Sequence, residues 1–152
     1  MRSRPPESAD PRWATYPDTI VEVFTSPLIY ADLRSPLPQG QAAQLRGIGL
    51  GDAWAVVTAY NPGRMLPDAE NARRERQLWR AAERSGARFL RADGVNPDGT
   101  EREVGIAIAM ERDRSIALAA EFGQSAIFWF DGEAFWLDPV LVGDKPVRLP
   151  PG

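Results

Sequence analysis

Asn61, Asn71 and Arg74 are the residues with which this chain could hold a polar ligand. Asn61 closes an apolar stretch, residues 53–59, in Thr58-Ala59-Tyr60-Asn61-Pro62, and Asn71 follows in Asp68-Ala69-Glu70-Asn71. A strand that runs into Asn-Pro, then a helix with a second asparagine in its first turn, makes a polar corner. Carboxamides there can orient a ligand by donating and accepting at once. Arg74 could pair with an anionic group. The same pattern has a plainer use: Asn71 can bond the backbone of residues 60–67 and lock that loop. Both readings stand on the residues alone.

Composition narrows the chemistry. The 152 residues contain no histidine and no cysteine. This excludes disulfides, Cys/His zinc sites, haem held by such ligands, a cysteine nucleophile and a Ser-His-Asp triad. Acid–base work would fall to Asp, Glu, Tyr or Lys145, the single lysine. A metal would need carboxylate ligands and would be a hard ion such as Mg or Mn. No metal or cofactor is assigned.

With a net charge of -3, no overall field favours nucleic acid or an anionic membrane, and neither is expected as a partner. No apolar run approaches membrane-spanning length, and the start has no signal-like apolar region. The hydrophobic fraction of 43% and charged fraction of 26% fit a soluble globular protein, with a cytoplasmic location as the expectation.

The elements that must position the polar corner follow from local signals. Residues 1–17 hold four prolines among charges and read as a mobile arm, with Trp13 and Tyr16 as anchors at its end. Residues 143–152 read as a Pro-rich tail. Residues 18–142 are expected to form a single domain. Within it, residues 19–25 and 28–33 read as strands, the second at an edge, and 39–46 as a short helix. Residues 53–59, apolar on both faces, predict a central strand. Asp68 to Ser85 predicts a helix with Asp68 as N-cap and Gly86 just past its end.

Further on, residues 89–91 read as a short strand and Asn96-Pro97-Asp98-Gly99 as a turn. Residues 103–110 alternate, with Val104, Ile106, Ile108 and Met110 on one face and Gly105, Ala107 and Ala109 on the other. The small face is expected to let a helix approach closely. Asp113 is expected to cap a second long helix ending at Gly123. Residues 125–130 and 134–137 predict a hairpin around a two-residue turn, Asp131-Gly132. The order predicts an α+β domain with a mixed sheet and about three helices mainly on one face.

On the helix from Asp68, Asn71, Glu75, Leu78 and Ala82 fall on one face. Arg73, Arg76, Arg80 and Arg84 form a stripe elsewhere. The inward face therefore begins polar. An unpartnered buried polar group costs about 1–3 kcal/mol, so Asn71 and Glu75 need partners or a wet pocket.

Four segments then occur in order: Thr58-Ala59-Tyr60-Asn61-Pro62; Asn71 with Leu78; residues 94–103; and Phe122-Gly123-Gln124-Ser125-Ala126-Ile127. In this order they resemble the bacterial domain-of-unknown-function family 3293, from residue 53 to about residue 137. The resemblance implies a fold unit and no activity. It adds Glu103 and Gln124 to Asn61 and Asn71 as positions of interest, all near element ends, where sheets hold ligands. Each has a structural alternative: Gln124 can satisfy carbonyls at a helix end, and Glu103 can pair with an arginine.

Two other signals carry no chemistry. Gly47-Ile48-Gly49-Leu50-Gly51 leads into a strand, not a helix, so it lacks the context of a nucleotide loop. Phe128, Trp129, Phe130, Phe135 and Trp136 read as cross-strand packing. The sequence thus supports a pocket for a small polar or anionic ligand built by Asn61, Asn71, Arg74, Glu103 and Gln124. Glu103 would be the acid or base in it. The alternative is a non-catalytic protein-interaction module that uses the arginine stripe or the aromatic hairpin.

Overall fold

The computed structural model describes residues 10–152. Residues 1–9 of the expected arm lie outside the described residues. In chain order the elements are a 3-10 turn (Trp13–Asp18), β1 (Ile20–Val23), β2 (Ile29–Asp32), α1 (Gln41–Arg46), β3 (Trp54–Thr58), α2 (Asp68–Ser85), β4 (Phe89–Val95), β5 (Arg102–Glu103), β6 (Gly105–Ile108), α3 (Arg112–Glu121), β7 (Ala126–Phe130), β8 (Phe135–Pro139) and β9 (Val147–Arg148).

The strands lie in the order β2-β1-β4-β6-β3-β7-β8-β9, and β5 also pairs with β4. The α+β class holds. Every recorded pairing is antiparallel, so the sheet is not the mixed one expected. The order hides two interleaved crossovers. β3, α2 and β4 form one unit with β6 inserted between its strands, and β6, α3 and β7 form a second with β3 inserted. That is the split β-α-β arrangement called ferredoxin-like. The inserted strand is what makes each neighbouring pair antiparallel. The β1-β2 hairpin extends one edge, and β8 with β9 extends the other.

β3 is buried along most of its length, as a central strand should be. Its alternate residues serve two cores. Ala55 and Val57 meet Leu78, Ile106, Ile108 and Leu118 under α2 and α3. Trp54 and Val56 face the opposite side, with Val21, Val23, Phe130, Phe135 and Leu137. That second core collects side chains from both wings of the sheet, so the sheet curls around it. α1 packs there through Leu45, whose carbonyl accepts a bond from Trp54 Nε1 at 3.2 Å. Two of the three α-helices therefore share one face and α1 lies on the other.

Four local expectations are corrected. The small face of β6 does not admit a helix: Ala107 lies in the core opposite α2 and α3, and the helices pack on Ile106 and Ile108. Gly105 is small because a Cβ would sit 2.4 Å from the Val57 carbonyl oxygen of the neighbouring strand. Asp68 and Asp113 are first-turn residues and not caps; Pro67 and Glu111 hold the cap positions without side-chain bonds. Pro67 still starts α2, since its carbonyl accepts from the N–H groups of Glu70 and Asn71. The β7-β8 turn has four residues, 131–134, because Asp131 Oδ1 gathers the N–H groups of Glu133 and Ala134.

Both termini of the described chain are drawn into the fold. Trp13 and Tyr16, the expected anchors of the N-terminal arm, pack against the curled core. In the Pro-rich tail, β9 pairs with β8 and Leu149 is buried. Among the described residues, no helix is long and apolar enough to cross a membrane.

Candidate functional site

A cavity of about 540 Å³ opens on the face of the sheet opposite α2 and α3. Its floor is apolar, with Val56, Ala92, Ala126, Phe128 and Leu137. One wall is the N-terminal segment, through Arg12, Tyr16 and Thr19. Asn61, Asn71, Glu103 and Gln124 line its polar part. The ends of β3 and β5, the start of α2 and the α3-β7 corner bring these four together.

Asn61 sits at φ +47°, a left-handed conformation that asparagine tolerates better than most residues. The turn aims both ends of its amide inward. Its Oδ1 accepts from Leu66 N–H at 2.9 Å and from Asn71 Nδ2 at 2.9 Å. Its Nδ2 donates to Glu103 Oε2 at 2.7 Å. Its backbone N–H donates to Asn71 Oδ1 at 2.9 Å. Asn71 Nδ2 also donates to the Leu66 carbonyl at 3.3 Å. Asn71 thus locks the loop before its own helix, and both asparagines are buried and satisfied.

Arg74 and Gln124 hold carbonyls at element ends. Arg74 Nε donates to Ala59 O at 2.6 Å, and its Nη2 donates to Phe122 O. It lies outside the cavity lining. Gln124 Nε2 donates to Tyr60 O at 3.0 Å and Phe122 O at 3.2 Å. Its Oε1 accepts nothing among the described residues. Gly123, just before it, sits at φ +70°, and a Cβ there would stand 2.9 Å from Pro62 Cβ. The Asn-Pro loop therefore packs directly on the end of α3. Glu75, expected inward, is only half-buried.

Glu103 is the titratable member of the set. Burial pushes its carboxyl above the ordinary range, while Asn61 and Arg12 pull it partly back. Its Oε2 carries both of those bonds, and its Oε1 carries none among the described residues.

Two further residues complete the cluster. Asp10 is only 3% exposed. It accepts bonds from Arg12, from Tyr16 Oη at 2.8 Å and from Ser125 Oγ at 2.7 Å. Burial raises its pKa, but these bonds overcome that and bring it down to about 2. Arg12 Nη2 donates to Asn61 O at 2.7 Å, and its Nη1 meets Glu103 Oε2 at 3.4 Å. Nothing in the sequence pattern marked either residue: they stand in a Pro-rich stretch with no periodicity, and their partners in the site, Asn61, Glu103 and Ser125, are about 50 to 115 positions away.

Chemically, the cluster offers hydrogen bonds and one raised carboxyl. Ser125 is bonded to Asp10, but a carboxylate held near 2 is too weak a base to activate a hydroxyl at neutral pH. Arg102, also in the lining, is already paired with Glu22 and Asp93.

Residues 57–127 match the family described as Protein of unknown function (DUF3293). This span of the chain resembles that family. It covers just under half of the 152 residues, less than the stretch the sequence motifs outlined. It contains Asn61, Asn71, Arg74, Glu103 and Gln124 and leaves out Asp10 and Arg12. No match is found among curated proteins or among solved structures.

Proposed function

We propose that this chain is a small-ligand-binding domain whose site is the cavity beneath the Asn61–Asn71 loop. One observation carries the reading. The Asn61 and Asn71 side chains that hold the loop are bonded inside the protein, yet Glu103 Oε1 and Gln124 Oε1 have no donor among the described residues and sit on residues that line a cavity of about 540 Å³. That volume falls within the ordinary range for ligand pockets, roughly 300–1,000 Å³, and the apolar floor suits the body of a ligand. Glu103, whose carboxyl is raised by burial, is the group of the polar cluster suited to exchange a proton with it. Among the described residues of the cluster, the hydroxyls beside a carboxylate are those of Tyr16 and Ser125 on Asp10, a weak base, and this favours binding over covalent catalysis.

The test is a thermal-shift screen of small molecules on the wild-type chain and on Ala126→Leu. That variant fills the apolar floor without touching the polar cluster. Hits that raise Tm in the wild type and lose the effect in Ala126→Leu support the cavity as the site. Hits that bind both proteins equally place binding elsewhere.

The interaction-module reading retains support on one surface. Arg73, Arg76, Arg80 and Arg84 are all exposed along α2, and Arg73 reaches Glu70 only at 4.0 Å. Arg76→Glu with Arg80→Glu should then remove a pull-down partner without changing Tm. The aromatic hairpin has less to offer, since none of its rings is among the exposed large apolar side chains.

A further inference from the structure

We infer that the occupant of this cavity carries a guanidinium or ammonium group that takes the place of Arg12 beside Glu103. The inference rests on the small-ligand reading above and names the ligand class.

The argument is a count of donors and acceptors around Glu103. Asn61 Nδ2 is given to Glu103, and Asn71 Nδ2 to Asn61 Oδ1 and Leu66 O. Gln124 Nε2 is given to two carbonyls. Thr58 Oγ1 donates to Val104 O at 2.8 Å. Arg12 is engaged with Asp10, Asn61 O and Glu103. The acceptors are not exhausted. Glu103 Oε1 and Gln124 Oε1 have no donor among the described residues, and Asn61 O and Glu103 Oε2 are shared with Arg12. Around Glu103 the side-chain donors are engaged, one N–H of Asn61 Nδ2 apart, while two carboxyl or amide oxygens lie open, and that balance suits a donor-rich ligand. A cation bonded to a carboxylate makes the stronger form of that bond.

Charge points the same way. The lining has Arg12 and Arg102 against Asp18, Asp68, Glu101 and Glu103, and both arginines are already ion-paired. An anionic ligand would meet more carboxylates than free cations, so the anionic ligand expected from Arg74 is not supported.

Arg12 shows how a cation seats there. One nitrogen is bonded to Asn61 O at 2.7 Å, while the contact to Glu103 is long at 3.4 Å. A guanidinium on a ligand could take Asn61 O and reach Glu103 Oε1 and Gln124 Oε1, which Arg12 leaves open. Asp10 would keep hold of the displaced Arg12, since it binds the Arg12 backbone N–H and side chain independently of Glu103. The segment before β1 would then act as a placeholder that yields to the ligand.

The experiment titrates the full chain and Arg12→Met with butylguanidinium, with its neutral isostere butylurea and with inorganic phosphate. Binding is read by calorimetry and by the side-chain amide NMR signals of Gln124 and Asn61. Butylguanidinium should bind Arg12→Met at least about tenfold more tightly than wild type, because the internal competitor is gone. That binding should vanish when Glu103→Gln is added. In the wild type, which needs no variant to fold, butylguanidinium at saturation should shift the Gln124 amide signals and phosphate should not. Equal binding of butylurea would overturn the cationic class and leave the small-ligand reading intact. Preferential binding of phosphate would overturn it as well. A cavity that passes the floor-filling screen with other hits but ignores butylguanidinium in both proteins would sink this inference alone. Silence there and in that screen would sink both.

Discussion

Asn61 and Asn71 clasp each other through two hydrogen bonds of 2.9 Å, one from the Asn61 backbone to the Asn71 carboxamide and one from that carboxamide back to Asn61 Oδ1. The pair joins the end of the central strand to the first turn of α2. It also fixes the left-handed turn that presents the Asn61 carbonyl to Arg12 and its amide to Glu103. The candidate site is therefore built on this clasp.

Asn71→Ala removes an acceptor for a buried N–H and two donors for buried oxygens. It should destabilise the fold by about 2–3 kcal/mol, as expected for buried polar groups left without partners. Urea unfolding measures this. A loss below about 0.5 kcal/mol would mean that water replaces the clasp freely.

Gly105→Ala should be at least as damaging. Its Cβ would meet the Val57 carbonyl oxygen at 2.4 Å and the Ala92 carbonyl oxygen at 3.1 Å. Both are backbone atoms of flanking strands, so neither can turn aside. Overpacking of this kind costs about 1–3 kcal/mol or more. A Tm within a degree of wild type would contradict the strand spacing described.

The pH dependence of Asp10 has a definite sign. Its folded pKa lies near 2, against an ordinary value of 3.8. A lowered carboxyl contributes stability that is present above the unfolded value and is lost as pH falls toward 2. The contribution is about 2 kcal/mol. Asp10→Asn should lower stability at pH 7, and the difference from wild type should shrink between pH 4 and pH 2. A difference independent of pH would remove the charge from the explanation.

Glu103 behaves in the opposite sense. Burial raises its folded pKa from the ordinary value, so the folded state holds that proton more tightly than the unfolded chain does. The stability linked to that proton is present below the unfolded value and lost as pH rises through the folded one. Glu103→Gln should therefore match or exceed wild type in stability at pH 7 and show no advantage at pH 4. A gain in stability joined to a loss of ligand binding marks a residue kept for function. Unfolding at the two pH values measures the first half.

Much of this fold was legible because its signals are local. The alternation of β6, the double-faced burial of β3 and the Pro67-to-Gly86 frame of α2 each depend on neighbours within a turn or two. The polar face of α2 likewise follows from helical spacing, which put Asn71 inward beside Leu78 and Ala82. The insertion of β6 between β3 and β4 was not legible, since register across strands leaves no mark in one sequence. The caps were misread because Asp68 and Asp113 have cap chemistry, while the backbone enters each helix one or two residues earlier. Arg74 looked available from its position on the helix. Only the fold shows its guanidinium given to Ala59 and Phe122. Asp10 and Arg12 were invisible because their links to the site, to Asn61, Glu103 and Ser125, are long-range.

The central claim is that the cavity under the Asn61–Asn71 clasp takes a small molecule. The most direct measurement is a side-chain amide NMR spectrum of the wild-type protein during a fragment screen. Fragments that bind should move the Gln124 and Asn61 amide signals together and leave the Arg80 and Arg84 guanidinium signals of α2 unchanged. Fragments that move the α2 signals instead, with Gln124 and Asn61 still, would contradict it.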